Sequence, residues 1–334
     1  MFKIKHAKCS RSFKGAVLFA ALSLYWSGAS WAAPAASPAT QAAGATPGIT
    51  ESGLNVWTVR STPLTASIAV DRKAHDALAQ AIKDKGFLSI GVITDEPPFI
   101  FTPNGKLQGV DVDMVGGLAR ALGIKIRLEK TSFDAMIPGL QSGRFDVAMG
   151  DFTDTSAREK VVDFVDYLGN GQTVITRKGE TRDFSKPLDL CGFSVSAPKG
   201  SLSAKLMTEL SDICTGKGLK PIDIKTFPGS APGILALEIG RVDAVPVTYA
   251  IATYLVKLHP DKYTLTDNLF YRSYKGAAIL KGQKALLNAL TFAFQAVVSS
   301  PNYNQIMAHW NLGKVKIDKV YVNVPGEPLN KSIK

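Results

Sequence analysis

The sequence predicts an α/β protein built from two similar lobes, and three observations support this class. Strand-like and helix-like segments alternate along the chain, which favours parallel strands covered by helices. A weak repeat, offset by 97 residues, places the pattern Gly-Arg-x-Asp before a strand at 143–146 and again at 240–243. With 334 residues, 46% of them hydrophobic, the chain is long enough for two separate cores.

The N-terminal residues read as a secretion signal. A basic stretch from Lys3 to Lys14 precedes an apolar run at 16–26, and Ser30 and Ala32 supply small residues at the cleavage positions. We therefore expect a signal peptide over 1–32 and a soluble periplasmic protein. The apolar run is too short for a membrane span, and no cysteine follows it that could carry a lipid anchor. Residues 33–72 are expected to form a flexible tether followed by a segment that the pattern does not assign.

The first lobe is predicted over 73–176 together with 271–334. Its helices are expected to end at glycines, because glycine adopts the left-handed conformation that closes a helix. The expected elements are a helix 74–85, a strand 88–93, a helix to 122 that Asp111 caps, a strand 124–128, a short helix to 141 and a strand 146–149.

The second lobe, predicted over 177–270, shows the same order of signals. A strand around Val195 leads into a turn at 198–201 and then into a helix that ends at Gly216. The repeated motif follows, and its acids, Asp146 and Asp243, are expected to satisfy local backbone donors. We therefore expect a structural role for the motif in both lobes.

Charge and cysteine content narrow the function classes. Loss of five basic residues with the leader lowers the formal net charge from +11 to +6, and the remaining basic residues do not form an aromatic-interleaved patch, which disfavours nucleic acid. Cys9 leaves with the leader. The remaining pair, Cys191 and Cys214, is expected to form a disulfide in an oxidising compartment, with two buried free thiols as the alternative.

The segment after the strand at 146–149 is the best candidate for a binding site. Gly150 ends this strand, a polar turn with Asp151 and Thr153 follows, and Arg158 comes just behind it. Backbone N–H groups at a strand end lack strand partners, and a guanidinium matches a carboxylate in shape. The pattern indicates a cradle for a small anion.

Three further stretches carry a family resemblance. GVITDEPPFIF, NGKLQGVDVDMVGGLARALGIKI and FDAMIPGLQSGRFDVAMGDFTDTSAREKVVDFVDYL resemble the polar amino-acid family of extracytoplasmic solute-binding proteins, which serve ABC importers. The resemblance covers nearly everything from Asp76 to Leu312. It implies the two-lobed periplasmic-binding-protein fold of class II, with two crossover strands and a ligand cleft between the lobes.

The resemblance also implies roles for single residues. Arg158 falls on the arginine that binds the ligand carboxylate, and Phe133 falls on an apolar residue that flanks the ligand, although a plain core phenylalanine is nearly as good a reading. The positions that would hydrogen-bond the ligand are Gly150, Asp151 and Thr153 in the first lobe and Ser201 and Leu202 in the second.

Departures from the family pattern bear on the ligand's charge. Glu96 stands where an aromatic ring is frequent, Thr248 where an acid pairs with the ligand's ammonium group, and Asp151 where a small residue is usual. Either Asp151, with Glu96, binds a ligand cation from the first lobe, or Asp151 pairs with Arg158 and blocks carboxylate binding. We favour the first hypothesis, because an uncompensated cation in a closed cleft is costly.

The expected function is capture of an amino-acid-like ligand and its delivery to the membrane subunits of an ABC permease, by a monomer without metal or cofactor. A dehydratase on the same scaffold is the main rival, and a sensor module for a membrane receptor is another. Against an enzyme, GxSxG, GxxxxGK[ST], CxxC and HExxH are all missing from the sequence. Glu96 and Asp151 remain a conceivable acid–base pair.

Overall fold

The computed structural model describes residues 49–51, 56–266 and 269–327. The predicted signal peptide and most of the predicted tether lie outside these residues. The strands are β1 Ile49–Glu51, β2 Val56–Val59, β3 Phe87–Val92, β4 Asp95–Glu96, β5 Ile100–Phe101, β6 Lys125–Lys130, β7 Val147–Ala148, β8 Val162–Arg177, β9 Ser194–Pro198, β10 Asp223–Phe227, β11 Val245–Thr248, β12 Tyr263–Leu265, β13 Phe270–Leu280 and β14 Tyr321–Val322. The helices are α1 Arg72–Ala77, α2 Gln80–Lys85, α3 Val110–Leu122, α4 Met136–Gln141, α5 Leu202–Gly216, α6 Ser230–Glu238, α7 Tyr249–Leu258, α8 Lys284–Val298 and α9 Pro301–His309.

One mixed sheet runs through the molecule. Its main path, within the described chain, is β1-β2-β6-β3-β7-β13-β8-β11, and β12 and β14 also pair with β8. Strand β3 is parallel to β6 and β7, as the alternation of helices and strands predicts, whereas β13 is antiparallel to β7 and β8. A separate parallel pair joins β9 to β10. The fold is a two-lobed α/β architecture, as predicted.

The long strand β8 connects the lobes. Its first part, 162–170, pairs with β13, while its last part, 172–177, pairs with β11 and β12. We call the part formed by β2–β7, α1–α4, α8 and α9 the first lobe, and the part formed by β9–β12 and α5–α7 the second lobe. Strands β8 and β13 therefore lie where the two lobes meet.

Strand β2 lies in the segment that the sequence pattern leaves unassigned. It pairs antiparallel with β6, so that Val59 lies opposite Ile126. Trp57 and Val59 are buried in the core beside that strand. Ordered structure in the described chain therefore begins before residue 73.

Two local predictions in the first lobe are wrong. The helix expected over 74–85 is broken into α1 and α2, because Leu78 and Ala79 have extended backbones. Asp111 does not cap α3, which begins at Val110 after Gly109. Instead, Asp111 is fully buried and accepts hydrogen bonds from the Tyr167 hydroxyl and from the backbone of the strand-end turn.

The second lobe has a small core of its own beneath α5. Leu206, Met207 and Leu210 are fully buried there and pack with Val195 of β9. Cys191 and Cys214 form a disulfide beside this core, with Cα atoms 5.8 Å apart, which confirms that prediction. The bond ties the end of α5 to the segment that leads into β9.

Candidate functional site

A cavity of about 490 Å³ lies between the two lobes. Its wall includes seven residues that the sequence analysis assigns to ligand binding: Glu96, Phe133, Asp151 and Thr153 from the first lobe and Ser201, Leu202 and Thr248 from the second. Gly150 and Arg158 are not among the described residues that line it. A cavity of this size is suited to a small molecule held by both lobes.

The turn after β7 brings Asp151 into the cavity wall. Gly150 has a φ of 110° and Asp151 a φ of 50°, so the chain passes through two left-handed residues in a row. Glycine adopts this region freely, and aspartate is one of the few other residues that does so at low cost. The N–H of Asp151 donates to Oδ2 of Asp111 at 3.2 Å, which fixes the turn from below.

Arg158 lies against the cavity wall without being part of it. Its guanidinium donates to the Thr153 carbonyl at 2.6 Å and covers the rings of Phe152 and Phe133 at 4.4 and 5.0 Å. Burial lowers the pKa of Arg158 to about 10, so the group stays cationic near neutral pH. Within the described residues, no salt bridge joins Arg158 to Asp151 or to another acid.

Lys275 of β13 is a cavity residue that the sequence analysis missed. It is 1% exposed, and its Nζ lies 2.5 Å from Oδ1 of Asp151, 2.6 Å from Oγ1 of Thr153 and 3.2 Å from the Asp151 carbonyl. Burial lowers the pKa of Lys275 and raises that of Asp151, and each partner opposes the shift of the other. Three oxygen acceptors around the nitrogen favour the ammonium form.

Glu96 connects the lobes across the cavity. Its Oε1 accepts a hydrogen bond of 2.6 Å from the hydroxyl of Ser230, the first residue of α6. Burial and the neighbouring charge of Asp151 raise the pKa of Glu96 to about 7. This carboxyl group therefore changes charge near neutral pH.

The second lobe presents helix N-termini to the cavity, among them those of α5 and α6. Ser201 caps α5 by accepting the N–H of Ala204 at 3.1 Å, and the turn before α6 also lines the wall. Helix N-termini carry partial positive charge and N–H groups without partners inside the helix. This side of the cavity favours an anionic or carbonyl group.

Buried hydroxyl groups complete the wall. Thr131 of the first lobe and Ser196 and Thr248 of the second all line the cavity, and each is less than 9% exposed. None of the three hydroxyl oxygens has a hydrogen-bond partner among the described residues. Buried polar groups are normally paired, so these oxygens are available to a ligand.

Two other kinds of site are absent from the described part of the chain. No group of three or more His, Cys, Asp or Glu side chains there is arranged to hold a metal ion. None of the helices between 49 and 327 that the structure describes combines the length and the apolar character needed to cross a bilayer.

Comparison with curated proteins identifies amino-acid-binding relatives. The L-cystine-binding protein TcyJ of Escherichia coli is 28% identical over 75% of this chain and 92% of its own length. The arginine-binding protein ArgT of Corynebacterium glutamicum is 25% identical over 75% of this chain and 82% of its own length.

Solved structures of amino-acid-binding proteins have the same fold as this chain. A mutant of the arginine-binding protein ArgBP from T. maritima is 29% identical with a TM-score of 0.61, covering 70% of this chain and 98% of its own. The ancestral amino acid-binding protein AncCDT-1, a precursor of cyclohexadienyl dehydratase, is 30% identical with a TM-score of 0.62, covering 69% and 98%. The profile of the bacterial extracellular solute-binding proteins, family 3, matches residues 88–314, about two thirds of the chain. The chain belongs to this family of solute-binding proteins.

Proposed function

We propose that the protein captures an amino-acid-like ligand, with one carboxylate and one amine, in the cavity between its lobes. The observation that carries the proposal is the division of charge across this cavity. The carboxyl groups of its wall belong to the first lobe, whereas the second lobe contributes the N-termini of α5 and α6. A zwitterion would place its ammonium group toward Glu96 and its carboxylate toward the helices.

Arg158 is the proposed second partner of the ligand carboxylate. Its guanidinium stays charged, forms no salt bridge with described residues and touches both Phe133 and Thr153, which line the cavity. A charge-assisted contact of this kind contributes about 1.5–3 kcal/mol. A change in the orientation of either neighbour would open a path from Arg158 to the ligand.

A thermal-shift screen of amino acids, amines and small carboxylates on the protein without its leader tests the proposal. A ligand at a hundred times its Kd adds about 2.7 kcal/mol, which raises the melting temperature of a chain of this length by roughly 4 °C. Arg158→Ala should abolish the shift given by carboxylate ligands, and the exposed Arg127→Ala is the matched control. The absence of any shift across the panel would contradict ligand capture.

Delivery of the ligand to an ABC permease, and export through the signal peptide at 1–32, form the second part of the proposal. Family membership supports both. Genes for a permease and an ATPase beside the gene of this protein would favour transport, whereas a receptor gene would favour sensing. N-terminal sequencing of the exported protein should find Ala33 first.

Catalysis is the alternative that the same screen can detect. The precursor of a dehydratase is among the similar structures, and the raised pKa values of Glu96 and Asp151 are those of a potential acid–base pair. Mass spectrometry of each hit after incubation should recover the ligand unchanged if the protein only binds it. A new product that disappears in Glu96→Gln would favour an enzyme.

A further inference from the structure

Lys275 holds a positive charge at the place where an amine ligand would meet Asp151. Its ammonium group has three N–H donors, and three oxygens of the first lobe surround it at 2.5–3.2 Å. These oxygens belong to Asp151 and Thr153 only. The charge is therefore held on the cavity wall by the strand-end turn.

The surroundings of this ion pair leave little negative charge for a ligand. The positive charges of Lys275 and Arg158 favour the ionised form of Asp151. The carboxyl group of Asp111 in α3 favours the ammonium form of Lys275. The ammonium nitrogen of Lys275 lies over the ring of Phe99, 5.4 Å from the ring centre. With Asp151 paired to Lys275, the carboxyl groups that remain among the described residues of the cavity wall are those of the half-buried Glu96 and the exposed Asp95.

We propose that Lys275 is a specificity-determining residue: it fills the cation subsite at Asp151, so the cavity selects neutral zwitterionic amino acids over those with a second positive charge. This inference rests on the proposed function and names its ligand class. A second cation in the cavity would face Lys275 together with the wall residues Lys130 and Lys199, against the carboxyl groups of Glu96 and the exposed Asp95. Burial of a charge without a partner is costly, so such a ligand binds weakly.

Removal of the lysine side chain should open the cation subsite. In Lys275→Ala, Asp151 is left without its partner, and ethylammonium chloride at millimolar concentration should raise the melting temperature of the variant. Sodium chloride at equal ionic strength should not, and neither the wild-type protein nor Lys275→Ala with Asp151→Asn should respond. An equal response to both salts in Lys275→Ala overturns the inference, and this test requires no knowledge of the natural ligand.

The selectivity test uses titration calorimetry with arginine and glutamine as probes. Lys275→Ala should raise the affinity for arginine relative to glutamine at least tenfold over the wild-type ratio. Lys281 is an exposed lysine just beyond the end of β13. Lys281→Met is therefore the matched control and should leave the affinity ratio unchanged. An unchanged ratio in Lys275→Ala contradicts the inference, whereas a wild-type protein that binds no amino acid contradicts the proposed function instead.

Asp151→Asn provides a second variant if Lys275→Ala does not fold. It keeps the lysine and removes its counterion, so the cavity gains an uncompensated cation. The ratio of the affinity for glutamate to the affinity for glutamine should then be at least tenfold higher than in the wild-type protein. A purely structural ion pair predicts lower stability with the same glutamate-to-glutamine ratio, and that result would overturn the inference.

Discussion

The two lobes repeat one structural device at corresponding places. Asp146 accepts the N–H of Ser89 at 2.9 Å and its hydroxyl at 2.6 Å, and Asp243 accepts the same two groups of Ser194 at the same two distances. Each aspartate thereby joins the start of one strand to the neighbouring strand of its lobe. Both aspartates satisfy backbone donors, as predicted, but these donors lie 57 and 49 positions away along the chain and are not local.

The strands that follow these aspartates end in different chemistry. In the first lobe the strand end carries Asp151, with Lys275 beside it, whereas in the second lobe it ends at Thr248 with the hydroxyl of Ser196 nearby in the cavity wall. The scaffold is thus repeated, but the cavity wall is not. Charge is concentrated on one side of the cavity, and this asymmetry gives the site its direction.

The largest expected difference between the lobes concerns the response of stability to pH. Beside the first lobe, burial and the neighbouring acid Asp154 raise the pKa of Asp166 of β8 to about 9, and burial and Glu159 raise the pKa of Asp154 to about 7. In the second lobe, partial burial acts on Asp243 in the same direction, but bonds from Ser194 and Arg182 hold its pKa below the ordinary value.

A raised carboxyl pKa means that the folded protein binds protons that the unfolded chain has released. The unfolding free energy should therefore fall as the pH rises from about 4 to 9, by several kcal/mol in total. Asp166→Asn should flatten this fall in urea titrations at pH 5, 7 and 9. Asp243→Asn, the control from the second lobe, should lower stability about equally at the three pH values; a wild-type curve that rises with pH would contradict the assignment.

The disulfide gives the next largest effect, and only the second lobe has one among the described residues. Replacement of Cys191 and Cys214 by serine should lower the unfolding free energy by about 3 kcal/mol, because the bond closes a loop of 23 residues in the unfolded chain. Urea unfolding of the variant and of the oxidised wild-type protein measures this difference. A loss below about 1 kcal/mol would show that the second lobe does not depend on the bond.

The repeated aspartates should have equal effects if the device is the same in both lobes. Asp146→Ala and Asp243→Ala should each lower the unfolding free energy by about 2 kcal/mol, since each leaves a serine N–H and hydroxyl without an acceptor. The two sites share no partner, so the double variant should lose the sum. Asp318→Ala, at an exposed position, is the control; clearly unequal losses would break the correspondence of the lobes.

The sequence predicts those features that depend on neighbours along the chain. Ser201 caps α5, and Gly123 follows α3 in the left-handed conformation. These features need only a few residues of local sequence, so their signals are readable. The break between α1 and α2 was missed, because neither Leu78 nor Ala79 disfavours a helix.

Long-range contacts explain what the sequence did not reveal about the site. Lys275 and Asp151 are 124 positions apart in the sequence. A β-bridge between Thr153 and Lys275 brings them together, and no periodic pattern in the sequence predicts this bridge. One signal in the sequence could have indicated this contact: a lysine stands directly beside the apolar run 276–280. A lysine that is buried with such a run needs a partner for its charge. The contact of Glu96 with Ser230 depends on how the lobes face each other, which local patterns do not specify.

The smallest expected effect concerns Glu96, the first-lobe carboxyl group that is hydrogen-bonded to Ser230 of the second lobe. Because its pKa is raised to about 7, chiefly by burial, it is neutral at pH 6 and ionised at pH 8. Asp95 and Asp151 favour the neutral form, whereas Ser230 and Lys275 favour the ionised one. An ammonium group beside Glu96 binds the ionised form better, so the affinity for an amine ligand should rise from pH 6 to pH 8.

The rise should reach at most about tenfold, or roughly 1.4 kcal/mol, because one proton is involved and the pKa lies inside the range. Titration calorimetry at pH 6, 7 and 8 measures it, with buffers of different ionisation enthalpy to count the proton released. Glu96→Gln keeps an acceptor for Ser230 and should make the affinity independent of pH in this range. If the variant retains the wild-type slope, another group titrates and the ligand's amine does not lie at the first-lobe wall.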